Sequence, residues 1–524
     1  MARTVDHELP LSYSQKVSRL GSRLKDAQWR RYGIVLLGGK VLGVFAVLLV
    51  AAFLTHTFFT TVHAADAPAV KASDIVNPVN TAWTLIAAFL VFGMQVGFTM
   101  LEAGFCRSRE TVNVLMECVV DTALCGLLFY AIGFAFMFSH GNGFIGYHWF
   151  FLQNAPATYE TTGVAFLAVW IFQFAFADTC STITSGAMIG RTGFVGDLLY
   201  SLAVSGFIYP IIGHWAWGPD GFLALMGSPA AAGAPATFLP NLGQSFHDFA
   251  GSTVVHTIGG VIALAGSIVL GPRLGRKFKR DGGGPMMPHD LTMATAGGLI
   301  LWFGWYGFNP GSTLSAMDFE GIGRISTNTT LAACAAALTA MFTAYFMSKK
   351  WDISFTVNGF LAGLVAITCP CYWVSPTGAI ILGGVAGVIV VGGVELLEYL
   401  RIDDPIGAVP VHGICGIWGT LSLGLFAVGK YGASGPTGPD NSAALKGLFY
   451  GGDWSLLKAQ CIGSAIITLS TFAVAMLVMW LVNLVGLLRV SKEGELYGLD
   501  LHEHGINAYP EYVISTLGTP GYKD

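Results

Sequence analysis

Apolar stretches of nearly uniform length recur along the chain, separated by short polar segments. A helix that crosses the hydrocarbon core of a membrane needs about 20 mainly apolar residues. A first stretch of this kind lies near 33–62. Others lie near 80–101, 112–138, 163–188, 194–217, 249–271, 292–316, 328–348, 354–373, 376–398, 408–429 and 460–488. The pattern predicts an all-α polytopic membrane protein with eleven core transmembrane helices after the first stretch.

Composition agrees with this fold class. The chain has 524 residues, of which 53% are hydrophobic and only 11% are charged, whereas the surface of a soluble protein of this size needs more charge. The net charge is −4 and no basic patch interleaved with aromatic residues occurs, so we expect no nucleic-acid partner. Neither a phosphate-binding glycine loop nor a metal-ligand spacing is present, and we therefore expect no enzyme activity, cofactor or metal.

The chain divides into three predicted parts. Residues 1–64 form a basic N-terminal segment with a signal peptide or an uncleaved anchor helix. Small residues at Val62/Ala64 and Ala65/Ala67 fit a cleavage site, but the segment is long for a signal peptide, so both interpretations stay open. Residues 65–488 form the core and residues 489–524 a tail.

Basic residues predict the orientation of the core. If residues 1–32 lie in the cytoplasm and the spans alternate, roughly five of six Lys and Arg residues in loops and tail fall on the cytoplasmic side, as the positive-inside rule requires. The core then begins outside the cell and the tail lies in the cytoplasm. We expect the protein to lie in the cell (inner) membrane. An odd number of crossings fits two equal halves and one extra helix.

Two predicted spans open on similar sequences. "DFAGSTVVHTIGG" (248–260) and "DPIGAVPVHGICG" (404–416) both place an Asp eight residues before a His. The first span would run inward and the second outward, which predicts a five-plus-five inverted repeat with a site at the repeat interface. His256 and His412 occupy equivalent positions, so two imidazoles could share a hydrogen bond and hold or relay a proton.

Other polar and aromatic residues stand near one end of the predicted spans. Asp248 either caps its helix or supplies negative potential for a cation, whereas Asp404 is expected to be a cap. Trp217 is either an interfacial belt residue or, with Phe176, part of an aromatic cage for a small cation. Pro310 in "FNPGS" interrupts a helix and is followed by the hydroxyl of Ser312.

Several of these stretches, taken in order, resemble the ammonium transporter family (Amt/Mep/Rh), and the resemblance covers about residues 80–510. The motifs are "FTMLEAGFCRSRETVN", "FQFAF", "HWAWG", "DFAGSTVVH", "WYGFNPGS", "DDPIGAVPVHG" and "GLDLHEHGINAYPE". The resemblance implies a homotrimer of eleven-helix protomers, each with its own pore, and a cytoplasmic tail that meets a PII-type regulatory protein.

The resemblance also assigns residues to roles. It places ammonium recruitment at Trp217, Phe176 and Ser312, with Asp248 nearby. It makes Phe176 and Phe308 the phenyl gate, Trp305 a pore-lining residue, and His256 and His412 the twin histidines. Trp217 and Ser312 together favour the Amt branch over the Rh branch. Asp178, two residues after Phe176, departs from the family pattern and points about 200° away on a helix.

The implied activity is ammonium transport. Ammonium would be recruited outside and deprotonated, ammonia would cross a hydrophobic pore, and the proton would pass separately through the twin histidines, giving electrogenic uptake. Return of the proton to the outside is the open alternative for that step. An ammonium sensor or transceptor, and an Rh-like neutral gas channel, are the competing functions.

Overall fold

The apolar stretches predicted from residue 80 onward fold as helices that pack into one unit, which begins at Ala72. The computed structural model describes residues 25–27, 71–227, 237–429 and 444–510. The proposed signal or anchor, 1–64, lies outside the described residues except for 25–27. The long helices are α1 Ala72–Phe105, α2 Ser108–Phe138, α3 Phe166–Gly186, α4 Phe194–Trp217, α5 Ser252–Leu270, α6 Leu291–Phe308, α7 Phe319–Ser348, α8 Ile353–Thr368, α9 Pro376–Leu400, α10 Val409–Phe426 and α11 Trp454–Leu484.

Nine of these helices, all except α6 and α8, are long and apolar enough to cross a membrane within the part of the chain that is described. The helices α6 and α8 pack among them: α6 lies along α1, and α8 packs against both α7 and α9, which also pack on each other. The all-helical membrane fold is thereby confirmed. The count of eleven crossings stays a prediction.

Short side chains at the helix starts explain several helix boundaries. The carboxylates of Asp290, Asp318 and Asp352 accept hydrogen bonds from backbone amides in the first turns of α6, α7 and α8. Ser375 does the same for α9. Each side chain satisfies amides that have no partner inside the helix, so these positions fix where a helix begins.

The predicted interruption at Pro310 is confirmed. Within the stretch 292–316, α6 ends at Phe308 and a short 3-10 turn, Pro310–Thr313, follows it. Pro310 has no amide hydrogen to continue the helix ladder. The turn is buried, which brings the Ser312 hydroxyl into the interior of the bundle.

The first residues after α11 define one end of the bundle. The Arg489 guanidinium donates to the carbonyl of Leu270 at the end of α5, at 2.5 Å, and the Val490 amide donates to the carbonyl of Arg191, at 3.0 Å. Two short helices follow, α12 Lys492–Tyr497 and α13 Leu499–Glu503. We call this end of the bundle the tail end. The end near Trp217 is called the recess end, because a small recess lies beside that residue.

Candidate functional site

The two similar sequences begin with the same local structure. The Asp248 carboxylate accepts hydrogen bonds from the backbone amides of residues 251 to 254, at 2.8–3.0 Å. The Asp404 carboxylate accepts from the amides of residues 407 to 409, at 2.8–3.1 Å. A glycine with positive φ begins each set of amides, Gly251 at 110° and Gly407 at 81°. Both aspartates are therefore helix caps.

The helices after these caps begin with wide π-helical turns and run in opposite directions. The π turns are Ser252–Thr257 in α5 and Val409–Ile414 in α10. The start of α5 lies at the recess end, whereas the start of α10 lies at the tail end, where Arg191 donates to the carbonyl of Asp403, at 2.6 Å. This antiparallel pair agrees with the predicted inversion. The π turns themselves were not predicted.

Glycines allow α5 and α10 to cross at very short range. A Cβ atom on Gly260 would lie only 2.2 Å from the backbone nitrogen of Gly413, and one on Gly416 would lie 2.5 Å from the carbonyl oxygen of Ser252. No side chain fits at such distances. The crossing therefore depends on glycine at both sites.

This crossing brings the two predicted histidines together. The Nδ1 atoms of His256 and His412 lie 3.1 Å apart, and both rings are buried. A neutral imidazole has one donor and one acceptor nitrogen, so a single hydrogen lies between the two Nδ1 atoms. The His256 Nε2 atom has no hydrogen-bond partner among the described residues. The pair can therefore offer a further donor or acceptor to a small molecule.

Aromatic rings form a column from His256 toward the recess end. The His256 ring stacks against Trp305 and Phe308, with centroid distances of 5.1 Å and 5.3 Å. Phe308 in turn stacks on Phe176 at 3.9 Å, and Trp217 meets Phe176 edge-on at 6.2 Å. The structure thus places these predicted gate and pore residues in one contiguous series of rings.

A small recess of about 230 Å³ lies at the end of this column that is farthest from His256. Its walls include the predicted recruitment residues Trp217, Phe176 and Ser312, together with Phe172, Gln173, Phe249 and Leu314. The Ser312 hydroxyl donates to the carbonyl of Phe308, at 2.8 Å. Because its hydrogen is used in that bond, its oxygen lone pairs are available as acceptors.

Asp248 lies behind the recess and is almost fully buried. The Trp217 indole donates to its backbone carbonyl at 2.7 Å, so the capped turn also fixes the orientation of the tryptophan. Of the two interpretations made from the sequence, the cap accounts for four hydrogen bonds to the Asp248 carboxylate. An electrostatic effect on a cation in the recess stays a prediction.

Several residues of this site were not predicted, and Gln173 and Phe98 are two of them. Gln173 is buried, lines the recess, and its Oε1 atom has no donor within hydrogen-bond distance in the described part of the chain. Its position, three residues before Phe176 in "FQFAF", puts both on one helix face and could have indicated it. Phe98 contacts the other end of the column, with its ring 6.4 Å from His412. No local signal distinguished it from other apolar residues of α1.

A second, larger recess of about 970 Å³ lies at the tail end. Its walls include Asp404, Ile406 and Pro410, beside the start of α10, and Asn358 of α8. The Asn358 amide donates to the carbonyl of Ile406 at 2.9 Å. The histidine pair therefore lies between a recess at each end of the bundle.

One end of the site has groups that suit a small cation, and the groups further along suit an uncharged molecule. The outer recess combines aromatic faces with the Ser312 and Gln173 oxygens, which suits a cation with N–H donors. The stacked phenyl rings beyond it offer no compensation for a charge, so an ion passes them only at high cost. Beyond the phenyl rings, two imidazoles can exchange a hydrogen.

Comparisons with known proteins agree with this chemistry. A sequence profile described as the Ammonium Transporter Family matches residues 82–509. The chain is 42% identical to the ammonium transporter Amt2 of Archaeoglobus fulgidus over 447 residues, which cover 84% of this chain and 91% of the relative. It is 38% identical to a putative ammonium transporter of Synechocystis over 455 residues, covering 85% and 93% of the two chains.

Solved structures show the same fold. A structure described as a sensor Amt protein superposes with a TM-score of 0.71 at 34% identity, covering 82% of this chain and 99% of that one. The structure of Mep2 from Saccharomyces cerevisiae gives a TM-score of 0.70 at 26% identity, covering 80% and 90%. The capped repeat, the histidine pair and these matches over most of the chain lead to one conclusion: the protein is a member of the ammonium transporter family.

Proposed function

We propose that the protein recruits ammonium in the outer recess and conducts it inward as ammonia and a proton on separate routes. The observation that carries the proposal is the pair of Nδ1 atoms 3.1 Å apart, behind two phenyl rings stacked at 3.9 Å. A cation is favoured on the outer side of the phenyl rings and disfavoured between them. Deprotonation of the bound ion is therefore favoured at this boundary.

Recruitment depends on the recess walls. Ammonium donates a hydrogen bond to the Ser312 oxygen and a second to Gln173 Oε1, while Trp217 and Phe176 supply cation–π contacts. A good aromatic face around a desolvated cation is worth about 2 kcal/mol. Asp248 adds negative potential behind the recess. Potassium has no N–H donor and gains less from the two oxygens.

Conduction follows from the column. Neutral ammonia passes Phe176 and Phe308 and reaches the imidazole pair beside Trp305. The proton moves through the hydrogen-bonded His256–His412 pair and rejoins ammonia at the tail end, so each molecule carries charge across. Uptake is then electrogenic and follows the membrane potential. A proton returned to the outer side would instead leave net transport uncharged.

The cellular setting completes the proposal. The protein lies in the inner membrane with the outer recess facing outside and the tail in the cytoplasm, and it forms a homotrimer in which each protomer has its own pore. A PII-type regulatory protein binds at the tail end. The division into an N-terminal segment 1–64, a core 65–488 and a tail 489–524 belongs to the same proposal.

Ammonium sensing is the second candidate function. The observation that favours it is the likeness to a structure described as a sensor Amt protein, which this chain matches over 99% of that chain's length. A sensor would hold ammonium in the recess and change its tail contacts without passing it on. An Rh-like neutral gas channel is the third possibility, and it would pass ammonia without current.

Uptake and binding measured on the same preparation separate transport from sensing. Purified protein in liposomes is given labelled ammonium under an inside-negative potential, and ammonium binding is measured in detergent. We expect saturable uptake that Trp305→Leu reduces strongly, because that residue lines the column. Trp302→Leu is the matched control, since Trp302 lies on the same helix but packs against Phe360. Binding without uptake would establish the sensor instead.

A further inference from the structure

A line of polar residues runs through the interface of α1, α2, α3 and α4, away from the aromatic column. Its members recur at helical spacing on each helix and face one another inside an otherwise apolar bundle. All are at most 9% exposed. This polar seam consists of Gln95 and Glu102 on α1, Asn113, Glu117 and Asp121 on α2, Asp178, Thr182 and Ser185 on α3, and Asp197 and Ser201 on α4.

Hydrogen bonds join members of the seam within α2 and α4, and between α1 and α3. The Asn113 amide donates to Glu117 at 2.7 Å, and the Ser185 hydroxyl donates to Glu102 at 3.4 Å. Thr182 donates to the side-chain carbonyl of Gln95 at 3.1 Å. In addition, the Tyr200 hydroxyl donates to Asp197. Each of these carboxyl groups has one donor, which leaves most of its acceptor capacity unused.

The middle of the seam contains two carboxyl groups side by side. The segments of α2 and α4 that carry Asp121 and Asp197 pack directly against each other, and both carboxyl groups are fully buried and neighbours in that interface. Neither oxygen of Asp121 has a hydrogen-bond donor among the described residues, and the second Asp197 oxygen has none either. Two ionised carboxylates do not share a buried site, because like charges at short range repel strongly. One hydrogen between them removes the repulsion and supplies the missing donor.

An independent observation comes from Ser201. Its side chain is fully buried and faces Asp121, and its hydroxyl makes no hydrogen bond of normal length among the described residues. Asp178 repeats this pattern toward the recess end: it is fully buried with Thr122 and Gln95 as its polar neighbours, and neither of its oxygens accepts a hydrogen bond of normal length in the described part of the chain. Buried groups of this kind are normally satisfied, so the seam has capacity for mobile hydrogens.

Among the described residues, no member of the seam carries a positive charge, and no Lys or Arg forms an ion pair with any of its five carboxyl groups. The titratable neighbours are the phenol Tyr200 and the thiols Cys118, Cys125 and Cys180, with Glu110 at the tail end, where Arg107 pairs with that glutamate. An isolated buried carboxylate costs several kcal/mol or more. The seam contains five buried carboxyl groups and, within the described part of the chain, no cation that pairs with them, so they require protons to reduce their charge.

The seam ends beneath the tail. The Asn113 side-chain oxygen lies 2.9 Å from His504 Nε2, and its backbone amide donates to the Asp500 carboxylate at 3.0 Å. Because Asn113 also donates to Glu117, this residue joins the buried carboxyl groups to the tail helix α13. Burial is the main reason that the pKa of His504 is lowered and that of Asp500 is raised. His504 is partly exposed whereas the seam members are buried, so the tail end is where the seam comes close to water.

We propose that the polar seam is a buried proton-binding site, separate from the histidine pair, in which Asp121 and Asp197 share a proton that exchanges through the tail end. The exchange step is a proton moving from a carboxylic acid to water, leaving a carboxylate, and returning by the reverse step. The idea that this proton-binding site accepts the proton of ammonium rests on the proposed function, whereas the existence of the binding site does not.

Infrared spectroscopy of the purified full-length protein tests the proposal without ammonium. We expect the C=O stretching band of protonated carboxylic acids at neutral pH, shifted by exchange into heavy water. Asp121→Asn and Asp197→Asn should each remove the same part of the band, and the double substitution should remove no more, because the two groups share one proton. Glu320→Gln alters an exposed carboxyl group at the start of α7 and should leave the band unchanged.

Two results would overturn the proposal. A wild-type spectrum with no protonated carboxyl band at neutral pH would show that all five groups are ionised. A band that appears only when sodium and potassium are removed would identify a metal-cation site instead. The wild-type measurement decides both, so a variant that fails to fold leaves the test intact. Because the spectrum is recorded without substrate, its outcome is independent of any failure of transport.

Discussion

Single residues in the outer recess act through atoms that are left available for a ligand. The Ser312 hydroxyl uses its hydrogen on the Phe308 carbonyl and keeps its lone pairs, while Gln173 Oε1 has no donor among the described residues. Both oxygens are buried among aromatic rings, where a hydrogen bond to a charged group is stronger than in water. Under the proposed function, we therefore expect the recess to select for N–H donors as well as for positive charge.

Substitution of Ser312 tests this selection. In Ser312→Ala we expect the half-saturating ammonium concentration for uptake to rise roughly 10-fold or more, since a hydrogen bond to a charged group contributes about 1.5–3 kcal/mol. Competition by potassium should increase. Concentration series in liposomes measure both effects.

Ser326→Ala is the matched control, because the Ser326 hydroxyl also donates to the carbonyl four residues earlier but lies on α7, away from the recess. If both variants keep the wild-type concentration dependence, Ser312 is not a ligand. A loss of the same size in the control would point to a structural effect.

Among single residues, those that carry an unusual side chain in an apolar segment could be identified from the sequence. His256 and His412 were conspicuous for that reason, and their equivalent positions in the repeat suggested that they meet. Gln173 and Phe98 were not identified, because a single Gln within a helix and a Phe in a span have ordinary explanations. Only the three-dimensional neighbours distinguish them.

Among the elements, the pair α5 and α10 determines the geometry of the histidines. Each helix is capped by an aspartate, starts with a π turn and crosses the other at glycine. The Thr253 and Thr420 hydroxyls form a further hydrogen bond between the two helices. The imidazole contact is thus set by the backbones rather than by side-chain flexibility.

A methyl group at this crossing should separate the imidazoles. We expect Gly260→Ala to lower the thermal stability of the purified protein, at a cost of about 1–3 kcal/mol or more for overpacking, and to reduce ammonium-driven current more than ammonium binding. Thermal unfolding and current recordings provide the two measurements.

Gly392→Ala is the control for helix propensity. Gly392 lies within α9 and no atom stands within 4 Å of an added Cβ, so alanine should be neutral or slightly stabilising there. Equal effects of the two substitutions would mean that the crossing is looser than the structure indicates.

Helix boundaries were predictable where composition changes sharply. The predicted stretch 194–217 coincides with α4, and 376–398 ends two residues before α9 does. The end of α6 was predictable as well, because Pro310 has no amide hydrogen to continue the helix. The π turns were not, because they arise from tertiary packing at the glycine crossing, which no local propensity records. The inverted repeat was predictable because its polar residues mark equivalent positions.

On the scale of the whole molecule, buried charges hold the tail end together. Arg273 forms two hydrogen bonds to the Asp403 carboxylate, at 2.8 Å and 2.9 Å, and both side chains are buried. Arg191, which is fully buried, donates to the carbonyls of Ala187, Gly271 and Asp403. Burial lowers the pKa of Arg191 to about 10, so it stays charged at neutral pH and joins the ends of three segments.

Removal of the Asp403 charge should destabilise this end. We expect Asp403→Asn to cost about 3–5 kcal/mol, because it leaves Arg273 buried without its partner. Burial alone would raise the pKa of Asp403, but the hydrogen bonds and charge of Arg273 outweigh it and lower the pKa. The stabilisation by Asp403 is therefore present above its unfolded pKa, about 3.9, and is lost as the pH falls through the lower folded pKa.

Melting temperatures measured from neutral to acidic pH check this prediction. The difference between wild type and Asp403→Asn should be largest near neutral pH and should narrow below about pH 4. Asp281→Asn is the control, since Asp281 pairs with Arg401 at the same end but is partly exposed to water. A constant difference at all pH values would contradict the role of the Asp403 charge.

The central claim is that charge and nitrogen cross this protein on separate routes that meet at the histidine pair. The most direct measurement records current and labelled-nitrogen uptake together in liposomes, for wild type and for His256→Ala. We expect a single elementary charge for each nitrogen in wild type and a strongly reduced current in the variant. An undiminished, ammonium-selective current in His256→Ala would contradict the claim.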